Sequence, residues 1–89
     1  MAEVIDIKKC LYNYDYEADV LYINFGENRP ARGEMLNNFD VVRVDPITEK
    51  IIGITLVFFN KRYHIKPENV YKEILPNLLL PFRKVEFVY

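Results

Sequence analysis

The chain has no tryptophan, one cysteine and one histidine among its 89 residues, and each scarcity removes a class of chemistry. With Cys10 alone, no intrachain disulfide can form and nothing points to an oxidising compartment. With His64 alone, histidine-rich metal centres and schemes that need two imidazoles are excluded. Neither sign of charge is in surplus: 12 basic and 13 acidic side chains leave a formal charge of −1, so no global field draws the domain onto nucleic acid or an anionic membrane. Any such binding would need a local patch. No apolar run approaches the ~20 residues that cross a bilayer. The first nine residues also lack the basic-then-apolar order of a signal peptide. The expected setting is the cytoplasm, without membrane association. There is no internal repeat, no low-complexity tract and no linker, so residues 1–89 read as a single domain.

Apolar residues make up 51% of the chain and charged residues 28%, the balance of an ordinary globular protein. Seven tyrosines and six phenylalanines supply rings suited to a core boundary or a partner interface. Lys9 to Tyr14 has the aromatic look of a first strand, and Val4 to Ile7 extends it or forms a separate edge piece. An acidic turn follows, in which Asp15 is suited to accept N–H bonds from residues just ahead. Val20 to Phe25 alternates as a strand, with Leu21, Ile23 and Phe25 on the better core side. Residues 26–33 read as an exposed connection. Short strands are expected at Glu34 to Leu36 and, after an Asn37-Asn38 turn, at Phe39 to Asp45, where Val42 and Val44 face one way. Pro46 marks a hairpin connection. Ile51 to Phe59 is apolar on both sides and is expected to be central and covered on both faces, Phe58 sharing a side with Ile54 and Leu56. Gly53 marks a bulge or a close neighbour. Beyond residue 60, Val70, Ile74 and Leu78 recur as on a helix that Pro76 should end or kink, and Arg83 to Tyr89 reads as a last strand. The fold expected is α+β: a small twisted antiparallel sheet of four to six strands, one C-terminal helix packed on it, and a short final strand.

Tyr14-Asp15-x-Glu17-Ala18-Asp19-x-Leu21-Tyr22-Ile23, an aspartate-containing strand about twenty residues on, and Ile-Ile-Gly-Ile at 51–54 together resemble the small prokaryotic proteins grouped as domain of unknown function 2283. The likeness covers roughly residues 10–59 as a β-meander, leaving residues 60–89 as an extension. It implies a compact antiparallel sheet with no assigned reaction. Some members are encoded beside small toxin-like proteins, which implies an antitoxin-like partner role. Tyr16 stands where the family commonly has proline. Thr55 stands where it often has an acid, so no role for that carboxylate carries over.

Asp15, Glu17 and Asp19 alternate like the first three ligands of a calcium loop, but the sixth and twelfth places hold Val20 and Gly26 rather than glycine and glutamate. A structural turn is the simpler reading, with an ion site as its rival. Adding Asp40 and Asp45 would give a two-metal hydrolase enough carboxylates. Asp45 is expected at a strand end and Asp40 facing solvent, which argues against convergence. His64 reads as a surface residue and Cys10 as a small apolar one. Lys61, Arg62, Tyr63 and Lys66, reinforced by Arg29 and Arg32, are the candidate nucleic-acid patch. Leu78, Leu79, Phe82, Val85, Phe87 and Tyr89 are the candidate interface, because the C-terminal apolar stripe is wider than a short helix needs. The leading function is a non-enzymatic binding module acting through protein contacts, with a homodimer or larger assembly, a heterologous protein partner and no cofactor. Nucleic-acid binding is the alternative, and a metal-dependent hydrolase the third.

Overall fold

The computed structural model describes residues 3–26 and 29–89. Among the described residues, seven strands and three short α-helices follow in the order β1 (Glu3–Asp6), β2 (Leu11–Asp15), β3 (Val20–Asn24), β4 (Arg32–Met35), β5 (Asp40–Val44), β6 (Ile51–Val57), α1 (Phe59–Tyr63), α2 (Val70–Glu73), α3 (Leu75–Leu79) and β7 (Val85–Val88). Strands β2 to β6 form one antiparallel sheet in the spatial order β2-β3-β6-β5-β4. β1 and β7 pair in parallel as a separate ribbon. The class is α+β, as expected. Glu27 and Asn28 of the expected connection lie outside the described residues.

Local chemistry sets the turns. Between β2 and β3, Asp15 Oδ1 accepts the N–H groups of Glu17 and Ala18, both at 3.1 Å. Between β5 and β6, Asp45 Oδ1 does the same for Ile47 (2.8 Å) and Thr48 (3.3 Å). Asn37 accepts from Phe39 and Asp40 ahead of β5. In each case a short polar side chain substitutes for a backbone partner and closes the turn.

Among the described residues, only one sheet face is roofed. Leu21, Ile23, Val42, Val44, Ile54 and Leu56 project towards Phe59, Val70, Ile74, Leu75 and Leu79, forming one continuous core. Each such side chain contributes about 1.5–3 kcal/mol through burial. A bulge between Arg43 and Val44 pairs Val44 with Ile51 and turns Ile51 into this core as well. Glu3 ties the terminal ribbon to the sheet by accepting from the Ile51 N–H at 2.8 Å and from Arg83 at 2.9 Å.

Four expectations change here. β6 is central, but its second face is only half covered at Thr55 and Val57. The strand also stops at Val57: Phe58 takes a left-handed conformation (φ 53°) and α1 starts at Phe59, so Phe58 is 42% exposed and Phe59 is the buried ring. The one expected C-terminal helix is instead two, α2 and α3, divided at Ile74 (φ −121°) by the break expected of Pro76, which lacks an N–H and whose ring crowds the preceding turn. Last, most of the candidate C-terminal interface serves the chain's own interior. Leu79 and Val85 are buried, Leu78, Phe82 and Phe87 pack against the core, and Tyr89 alone of that set is exposed. The stripe is wide because it covers both the sheet and the β1–β7 ribbon.

Candidate functional site

The carboxylates singled out from the sequence do not converge; all but Glu17 hold the fold. Asp19, at φ 55°, accepts the Tyr14 hydroxyl at 2.5 Å and the N–H groups of Asn60 (2.8 Å) and Lys61 (3.1 Å). It thereby fastens the start of α1 to the β2–β3 turn. These bonds hold its carboxyl below the usual range, the Tyr14 hydroxyl first, and push the Tyr14 phenol up to about 12. Asp45 is lowered chiefly by the Ile47 N–H, helped by Thr48 and by Arg29 at 2.8 Å. Glu17 has no place in either network. Among the described residues, no group of three or more His, Cys, Asp or Glu side chains is placed to hold a metal ion.

Asp40 corrects the expectation of a solvent-facing residue: it is 0% exposed. It shares the side of Val42 and Val44, and Arg62 pairs with it through both terminal nitrogens. Asn37 donates to it at 2.8 Å and Tyr63 at 3.1 Å. The Arg62 guanidinium lies over the rings of Phe39 (5.0 Å) and Tyr63 (4.7 Å) and also donates to the Val57 carbonyl. A buried acid is tolerable only when paired and hydrogen-bonded in this way.

That network takes apart the basic patch expected at 61–66. Arg62 and Tyr63 turn inward to Asp40, whereas Lys61 and Lys66 stay on the surface. Arg32 is engaged by Glu34 and Glu49, and Arg29 by Asp45. His64 is exposed at the C-terminal end of α1. Cys10 is half-buried, donates to the Asp6 carbonyl, and has its thiol pushed up to about 11, mainly by burial. It is poorly suited to act as a nucleophile at neutral pH.

The feature that sequence reasoning missed is the second sheet face. Opposed residues of antiparallel strands point to the same side, so the strand registers arrange this face in rows. One row runs Leu11, Asn24, Gly53, Arg43, Gly33. The next runs Asn13, Tyr22, Thr55, Val41, Met35. The third carries Asp15, Val20 and Val57, with Phe39 beside them in the bend just before β5. Leu11 is 70% exposed, Met35 62%, Tyr22 46% and Phe39 40%. Phe58 stands next to Phe39, ring centroids 5.7 Å apart. Large apolar side chains left open together mark a contact surface more often than they occur by chance.

Gly53 shapes this face. A Cβ there would lie 2.7 Å from the Ile23 carbonyl oxygen and 3.1 Å from Arg43 Nη1, so the missing side chain lets Arg43 lie across β6. Beside it is a shallow depression of about 480 Å³ bordered by Leu11, Asn13, Tyr22, Asn24 and Thr55. Alternation could not reveal the face, because β6 is apolar on both sides; the exposed positions of β2 and β4 were the remaining signal.

Neither the curated proteins nor the solved structures contain a match to this chain. A family model does match, over residues 11–59, from the start of β2 to the first residue of α1, and so takes in the whole five-stranded sheet and its three side-chain-capped turns. The chain belongs to the family described as protein of unknown function (DUF2283).

Proposed function

We propose that this protein is a non-enzymatic binding module that acts through protein–protein contacts, with the open sheet face as its contact surface. One observation carries the reading: Leu11, Tyr22, Met35 and Phe39 are aligned on one face by strand register and stay exposed. Support comes also from the acids, since Asp15, Asp19, Asp40 and Asp45 are committed to turns, caps and an ion pair rather than gathered around a substrate. The finer role implied by the family resemblance is that of an antitoxin-like partner to a small toxin-like protein.

In-cell photo-cross-linking tests the surface. A benzoylphenylalanine in place of Tyr22, in the native host, should give a discrete protein adduct. The same probe in place of Tyr16, which is 84% exposed but lies on the β2–β3 turn, should give none. No adduct at position 22, or equal adducts at both, would overturn the reading. Adduct mass and peptide sequence identify the partner, and a toxin-like protein there would establish the finer role.

A further inference from the structure

We infer that the occupant of the open face is a second copy of this chain, packed sheet on sheet, with Asp15 of each copy set against Arg43 of the other. The inference rests on the reading of this face as a protein contact surface and names what covers it.

Size is the first support. Five strands ~4.8 Å apart and three rows ~6.8 Å apart give a footprint of roughly 400–500 Å². A single helix, about 10–12 Å across, would leave half of that width wet. Another sheet of the same extent covers it. Stable interfaces bury about 800 Å² of accessible surface per partner, so a contact of this size falls at the weak end, with dissociation in the micromolar range.

Charge is the second. Asp15 and Arg43 are the only charged residues in the three rows, and they lie near opposite corners. From strand and residue spacings they are separated by about 14 Å across the strands and about 14 Å along them. A twofold axis lying in the interface along the other diagonal exchanges the two corners, bringing each carboxylate to the other copy's guanidinium. Under that operation the sheets cross near a right angle, one of the two packing modes of face-to-face sheets. The axis also passes by Leu11 and Phe39, so each meets its own counterpart, with Tyr22 between them. A strongly charged foreign partner would leave one of the two charges opposed by its own sign.

Sedimentation and light scattering of the full chain from about 5 to about 500 µM, the range in which micromolar dimers dissociate, test this directly. The mass should rise from monomer to dimer. Tyr22→Glu, at an exposed position, should weaken association at least tenfold while leaving the circular dichroism unchanged. Arg43→Glu should weaken it about fivefold, and adding Asp15→Asn, which removes the charge but keeps an oxygen for the turn, should restore most of the loss. A wild-type chain that stays monomeric throughout overturns the second copy. If a foreign protein then still cross-links at position 22, the contact reading stands with another occupant; if nothing does, both fall. A dimer indifferent to Tyr22→Glu also overturns the inference, because its interface would lie elsewhere, and a failed rescue overturns the Asp15–Arg43 pairing.

Discussion

Along β6, Ile54 and Leu56 are buried completely, while Thr55 and Val57, one residue away on the same strand, remain half exposed. The difference originates in the C-terminal third of the chain. The backbone turns at Phe58 and lays α1, α2 and α3 over one side of the sheet only. Two carboxylates from the sheet fix that choice: Asp19 caps the start of α1, and Asp40 holds Arg62 and Tyr63. The family match ends where this roof begins. The matched segment therefore contains the five-stranded sheet, whereas the covering helices lie beyond it.

Neighbouring substitutions on β6 should sharpen the contrast most. Leu56→Ala should cost about 2–5 kcal/mol, since it empties a filled core position. Thr55→Ala should stay within about 0.5 kcal/mol, as is usual away from packed sites. Urea unfolding of the two variants checks this, and equal losses would mean that the two faces do not differ as described. Next in size is Asp40→Ala, which strands Arg62 beneath Phe39 and Tyr63 and should cost about 3 kcal/mol. A loss below about 0.5 kcal/mol, the range of ordinary surface changes, would show that the ion pair does not hold the roof.

Acid should act on the same side. The folded-state pKa values of Asp19 and Asp45 lie below their unfolded values. The stability they contribute is thus complete above about pH 4 and is lost as pH falls through the folded values. The urea midpoint should fall between about pH 4 and pH 2, and Asp19→Asn should reduce that dependence. A midpoint that does not move over this interval would remove Asp19 as the anchor of α1. Smaller again, and confined to the open side, is Gly53→Ala. Its Cβ must displace the Ile23 carbonyl or Arg43, which should cost about 1–3 kcal/mol and disturb the depression.

How legible all this was from sequence depends on how far each cause lies along the chain. The alternation in Val20 to Phe25, the hairpin at Asp45 and the turn at Asp15 are local, and they read correctly. The start of α1 depends on Asp19, which caps residues 41 and 42 positions away, so Ile51 to Phe59 looked like one strand. Asp40 shares the parity of Val42 and Val44 but was placed in solvent, since a carboxylate is seldom buried without a partner and its partner is 22 residues distant. The open face was hidden for a different reason: exposure depends on what the rest of the chain leaves uncovered, and an apolar side chain carries no mark of it.

Oxidative footprinting by hydroxyl radicals, at about 5 and about 500 µM protein, tests the central claim most directly, because that range spans a micromolar monomer–dimer equilibrium. If the open face is covered by a second copy, Leu11, Tyr22 and Phe39 should become protected at the higher concentration, while Tyr16 and Ile47, exposed away from the face, react equally at both. Protection confined to Leu80, Val88 and Tyr89 at the C-terminal end, or no change at any residue, would contradict it.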